Sequence, residues 1–219
     1  MTSDWPDNGQ IALIDGPVGQ LELRYGRPAE AGSTEIGELA VICHPHPLHG
    51  GTMSNKVVTT LERLFQGRGL ATLCFNFRGV GRSTGAHDDA RGEQDDLRAV
   101  VAEGLRRLPS ARLWLAGFSF GSYVAAAVAQ QVRAAGLISV APPVSKWGFA
   151  DVGDPGCPWW VLQGAEDEVV DPQAVYDYVA RHPAGPQLIR FDGAGHFFHG
   201  RLIELRDRLN QALDGHSGD

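Results

Sequence analysis

Residues 115–128 read LAGFSFGSYVAAAV. An apolar run reaches Gly117, a single serine follows between Phe118 and Phe120, Gly121 closes the box, and an alanine-rich stretch begins. A core has no use for a serine there, and an ordinary turn draws on Asn, Asp or Pro. The run RLWLAGF before it has the unbroken apolar character of a strand covered on both faces, and YVAAAVAQQVRAA after it reads as a helix. Ser119 therefore stands at a strand-to-helix turn.

The segments on either side repeat that alternation. Residues 11–25, IALIDGPVGQLELRY, are two short alternating runs around Gly16-Pro17 and predict a hairpin at a sheet edge. ELAVICHP (38–45) and LATLCFNF (70–77) predict buried strands, separated by a helix in which Val57, Val58, Leu61, Leu64 and Phe65 fall at helical spacing. Leu97, Val100, Val101, Leu105 and Leu108 mark the next helix, stopped by Pro109. After the serine come a strand (GLISVAP), another strand (CPWWVLQG), a helix (PQAVYDYVARH) and a last strand (PQLIRFDG). A closing helix is striped by Leu202, Leu205, Leu209 and Leu213, and the terminal GHSGD reads as a frayed tail. Strands alternating with helices predict an α/β fold, with a mostly parallel central sheet and helices on both faces.

In such a sheet ligands bind beyond the C-terminal ends of the strands, which is where Ser119 falls. Gly-x-Ser-x-Gly at a strand-to-helix turn makes a tight, strained elbow that holds the hydroxyl up, and Gly117 and Gly121 are needed because a side chain would strike neighbouring backbone. A serine hydroxyl is a weak nucleophile without a base. In this chain order an acid and then a histidine should follow in loops after later strands. QGAEDEVVDP offers Asp167, and FDGAGHFFHG offers His196. Asp171 competes as the acid, although Asp171-Pro172 reads as a helix start; Glu166 and Glu168 read as solvated. His199 competes with His196 and reads better as a side chain at the start of the closing helix.

Along nearly its whole length the chain resembles the α/β-hydrolase superfamily: FNFRGVGRSTG, LAGFSFGSY, QGAEDEVV and GAGHFF match its blocks in order. HPHPLHGGTMSNKVV resembles a small, lid-less bacterial serine-hydrolase branch. The resemblance implies an α/β-hydrolase fold over residues 1–219 as one domain. It makes Ser119 the nucleophile, His196 the general base and then acid, and Asp167 the carboxylate that orients His196. It also implies two backbone N–H donors for the oxyanion. Phe120 supplies one. The loop His44-Pro45-His46-Pro47-Leu48-His49-Gly50-Gly51 supplies the other, from His46 or, alternatively, Leu48, since neither proline has an N–H. This loop departs from the commoner His-Gly forms of the superfamily. Three histidines in six residues also invite a metal reading, but no carboxylate or cysteine completes a ligand set in the loop, so no metal and no cofactor are expected. RGVGRSTG lacks the lysine of a phosphate-binding loop and reads as a structural turn.

The remaining features narrow the class. The net charge of −7 argues against nucleic acid as a partner. No apolar run approaches the ~20 residues that cross a bilayer, and the N-terminus lacks the pattern of a signal peptide. Cys43, Cys74 and Cys157 are odd in number, and two lie in apolar runs, as buried thiols of a cytoplasmic protein would. The run from Pro142 to Gly156 is too short and broken for a helical cap. The site is thus expected to be open, with Trp147, Phe149, Phe118, Phe197 and Phe198 as candidates to line a shallow groove and Trp147 and Phe197 as the substrate contacts. The expected activity is cleavage of carboxylic esters with short acyl groups, the partner being a small-molecule acyl substrate. A thioesterase, an acyltransferase or a non-catalytic binding protein of the same fold are the rival readings. The oligomeric state is left open.

Overall fold

The computed structural model describes residues 5–29, 36–182 and 185–215. In chain order its elements are β1 (Ile11–Gly16), β2 (Gly19–Gly26), β3 (Glu38–Cys43), α1 (Lys56–Gly67), β4 (Ala71–Phe75), α2 (Arg91–Arg107), β5 (Arg112–Phe118) and α3 (Phe120–Ala129). They continue with β6 (Gly136–Val140), β7 (Trp159–Gly164), α4 (Pro172–Ala180), β8 (Gln187–Phe191) and α5 (Leu202–Asp214). All eight strands form one sheet in the order β1-β2-β4-β3-β5-β6-β7-β8. β1 pairs antiparallel with β2, β2 antiparallel with β4, and the remaining pairs are parallel.

The central strands are apolar throughout because each of their faces is covered. Along β3, Leu39, Val41 and Cys43 enter one core with Val100 of α2, Val124 of α3 and Val175 of α4. Ala40 and Ile42 enter the other, with Leu61 and Phe65 of α1 and Leu205 and Leu209 of α5. The period of two along the strand thus sorts its residues between two cores of different helices. Capping sets the helix starts: Asn55 accepts the Val57 N–H at 2.8 Å ahead of α1, and Asp171 accepts the Gln173 N–H at 3.0 Å ahead of α4.

Several bounds differ from the sequence reading, each for a local reason. α3 stops at Ala129 instead of continuing to residue 135. Arg133 turns to φ 54°, and Ala135 already donates to Leu113 O of β5, so the chain has left the helix to enter β6. β4 ends at Phe75 because the Phe77 N–H goes to a histidine ring instead of the ladder. α2 begins at Arg91, well before its first apolar stripe residue, because its first turns bury Glu93 and Asp96. Asp96 binds Arg78 through two nitrogens, at 3.0 Å to Nε and 2.7 Å to an Nη, and this buried pair holds the RGVGRSTG turn against α2. Between β6 and β7 the segment 142–156 contains one 3-10 turn, Phe149–Asp151, and no α-helix. Of the terminal GHSGD, residues 216–219 lie outside the described residues, and Gly215 closes α5.

Candidate active site

The strand order turns back on itself at β3, with β4 on one side of it and β5 on the other, and this switch point is where an open sheet leaves a crevice. Cys43 and Gly117 are register partners at the C-terminal ends of those two strands, so the loop after β3 and the turn after β5 leave the sheet side by side. Ser119 occupies that turn with φ 52° and ψ −120°, a backbone region that side chains rarely enter. Its N–H donates to Val140 O at 2.8 Å, which ties the turn to β6. Both flanking glycines are required by contact. A Cβ on Gly117 would lie 2.3 Å from the backbone of Gly121, and one on Gly121 would lie 2.4 Å from His44 O.

The loop after β8 carries His196 into the same crevice, where its side chain is almost fully buried. Its Nε2 lies 3.1 Å from Ser119 Oγ, and its Nδ1 lies 2.9 and 3.1 Å from the two oxygens of Asp167. A carboxylate can only accept, so Nδ1 carries the proton and Nε2 presents a lone pair to the serine hydroxyl. Asp167 also accepts the N–H groups of Val169 and Val170 at 2.9 and 2.8 Å and the Gln163 side-chain amide at 3.0 Å. Burial pushes the Asp167 carboxyl up. The hydrogen bonds from His196, Val170 and Val169 outweigh that, and its pKa lies below the ordinary carboxylate value.

The competing side chains are elsewhere. Asp171 caps α4, and His199 is exposed, its ring 5.7 Å from that of Phe197. Glu168 is exposed, as the sequence reading expects, but it has a partner as well. It is not merely solvated: its Oε2 accepts the His196 backbone N–H at 3.1 Å. Nothing in an acidic run marks one carboxylate as bound, whereas Gln163, also missed, stood out as the polar residue ending an apolar strand. The proposed groove also shrinks. Phe118, Phe149 and Phe198 are fully buried and belong to the cores; of the five, only Trp147 and Phe197 retain exposed surface.

In the loop after β3, His44 is buried and neutral. Its Nδ1 donates to Pro45 O at 2.6 Å and its Nε2 accepts the Phe77 N–H at 3.0 Å, so the ring ties this loop to the end of β4. Burial drives its pKa down to about 4. His46 Nδ1 accepts the Leu48 N–H at 3.2 Å, and the His46 ring packs 5.1 Å from Phe120. Among the described residues no three His, Cys, Asp or Glu side chains are arranged to hold a metal ion, and no helix is long and apolar enough to cross a membrane. Cys43 and Cys74 are buried thiols pushed up by burial, and Cys157 is half-buried.

The profile of the alpha/beta hydrolase fold family matches residues 48–160, slightly more than half of the chain. The chain belongs to the α/β-hydrolase family. A solved α/β serine hydrolase homologue from Coxiella burnetii is 48% identical to this α/β hydrolase, with a TM-score of 0.90 over 94% of this chain and 98% of that one. An α/β serine hydrolase from Xanthomonas campestris, described as lacking a lid, is 43% identical with a TM-score of 0.90 over 96% and 95% of the two chains. A Rickettsia prowazekii protein, described as uncharacterized, is 32% identical over 91% of this chain and 87% of its own.

Proposed function

We propose that this α/β hydrolase is a lid-less serine hydrolase that cleaves carboxylic esters through an acyl-enzyme. The observation that carries the reading is the unbroken run of hydrogen bonds from Asp167 through both nitrogens of His196 to Ser119 Oγ. His196 takes the hydroxyl proton as Ser119 Oγ attacks the carbonyl carbon, and Asp167, held ionised, stabilises the imidazolium. The developing oxyanion is held by the Phe120 and His46 backbone N–H groups. Neither has a hydrogen-bond acceptor among the described residues, whereas the Leu48 N–H is already given to His46 Nδ1, which favours His46 over Leu48 as the second donor. The N-terminus of α3, which starts at Phe120, adds a favourable field for that negative charge. His196 then passes its proton to the leaving alcohol. Water, deprotonated by the same ring, attacks the acyl carbon and releases the acid. No step calls for a cofactor.

The substrate class follows from the surroundings. With one 3-10 turn between β6 and β7 the site is open, and Phe197, 41% exposed, sets its ring edge-on against His196 at 5.0 Å. Trp147 packs 5.1 Å from Phe120. These two rings favour a short acyl group at a shallow, partly solvated site. The test is hydrolysis of p-nitrophenyl esters graded from two to eight carbons, beside matched thioesters. Turnover that peaks at short esters supports the reading, and turnover confined to thioesters replaces it.

A further inference from the structure

Four basic side chains gather around the rings of Phe120, the residue after Ser119, and Trp147, while His196 rests on Phe118, the residue before it, at 5.0 Å. The His46 ring lies 4.3 Å from His49, 4.8 Å from His87 and 5.6 Å from Trp147, and Lys146 Nζ lies 5.8 Å from the Trp147 ring. His87 itself packs 5.5 Å from Phe120. The triad uses none of them. We propose that His46, His87 and Lys146 bind an anionic group carried by the substrate, a carboxylate or a phosphate, so that the preferred esters of the reaction proposed above are acidic.

The donors are defined by the hydrogen bonds already made. His46 Nδ1 is occupied as an acceptor, so its proton sits on Nε2, and the two prolines that flank the residue hold its backbone in place. His87 Nδ1 is 2.7 Å from Glu93 Oε1, which leaves Nε2 outside that contact. Glu93 is fully buried, and its Oε2 has no hydrogen-bond partner among the described residues. A doubly protonated His87 ring would donate to Glu93 from Nδ1 and to an anion from Nε2. The arrangement repeats, beside Phe120, the carboxylate–histidine pairing of Asp167 and His196.

Charges around His46 point the same way. Burial, then His49, His87 and Lys146, all push its pKa down, and Glu93 alone among the leading influences pushes it up. A bound anion relieves that crowding of like charge. Of the nearby acids, Glu93 also accepts the Asp88 N–H at 3.0 Å and Asp89 accepts the Trp147 indole N–H at 3.2 Å, while Asp88 and Asp89 are both exposed, where water screens their charge.

Two pairs of esters test this: p-nitrophenyl hydrogen glutarate against p-nitrophenyl pentanoate, and butyryl glycerol phosphate against butyryl glycerol. In one pair the charged ester should have a kcat/KM about tenfold or more above its neutral partner at pH 6, the scale of one charge-assisted hydrogen bond. The glutarate pair reports a carboxylate and the glycerol pair a phosphate. His196 acts on both members of a pair and cancels from the ratio. His87→Gln, which keeps an amide for Glu93, and Lys146→Gln should each draw it toward one. Glutarate or inorganic phosphate titrated into Ser119→Ala should shift the imidazole NMR signals of His46 and His87. Ratios near one in both pairs, or a preference that survives both substitutions, overturn the inference. Loss of all ester turnover, neutral esters included, would instead overturn the proposed function, and the NMR titration then still decides the anion site.

Discussion

Glu168 Oε2 accepts the backbone N–H of His196 at 3.1 Å, while the adjoining Asp167 accepts the ring N–H of the same histidine at 2.9 Å. Two consecutive acids of one loop thus hold both the main chain and the imidazole of His196, and a ring buried in this way has little freedom left. Glu168→Ala should lower kcat by up to about 10²-fold, the cost of a slightly misplaced base, with a small change in KM. Glu168→Gln, which keeps an accepting oxygen, should recover most of the loss. Steady-state kinetics of the two variants check this, and equal losses in both would assign Glu168 an electrostatic role instead.

Asp167 and Asp171 should separate cleanly. Asp167→Asn removes the acceptor that fixes the His196 tautomer and should cost about 10⁴-fold in kcat. Asp171→Asn exchanges one capping side chain for another, so kcat should hold and stability change by less than about 1 kcal/mol. Single-turnover rates and urea melts of both proteins measure the difference.

Gly121→Ala should be destabilising out of proportion to one methyl group. Its Cβ would press on His44 O and Cys43 O at 2.4 and 2.5 Å, both backbone atoms of the neighbouring strand end. A cost of about 1–3 kcal/mol is expected, together with a loss of Ser119 reactivity because the elbow is displaced. A melt indistinguishable from wild type would show that the two strand ends are not held so close.

His44 gives stability a specific pH dependence. Its folded pKa of about 4 lies below the ordinary value of 6.5, so between those pH values the unfolded chain takes up a proton that the folded protein refuses. Stability is therefore full above about pH 6.5 and should fall by roughly 3 kcal/mol as pH drops toward 4. Asp167, whose folded pKa is depressed, adds a further loss at the acid end as pH falls through that value. Urea unfolding at pH 7 and pH 4.5 measures it, and His44→Gln should flatten the His44 part.

The order of strands and helices was legible because the buried strands carry apolar runs and α1, α2 and α5 each carry a stripe at helical spacing. The elbow was legible for a different reason: Gly117 and Gly121 answer backbone contacts that depend only on the turn and its neighbouring strand. What escaped the pattern depends on partners distant in sequence. The first turns of α2 hide polar side chains, so no stripe marks Arg91 as the start. α3 yields to β6 at Ala129 although the sequence beyond it remains helix-forming, because the sheet claims Ala135. Phe198 sits two residues beyond His196 yet packs 5.3 Å from Phe191 in the core, while adjacent Phe197 faces outward; composition cannot separate two neighbouring phenylalanines on that basis.

The central claim is that Ser119 is a nucleophile activated by His196. Wild type, Ser119→Ala and His196→Ala should be treated with a fluorophosphonate probe and assayed in parallel on a short p-nitrophenyl ester. Labelling and turnover by wild type alone, with about 10⁶-fold lower kcat in the variants, is the predicted result. Folded wild type that takes no label, or a Ser119→Ala protein that is labelled and turns over like wild type, would contradict it.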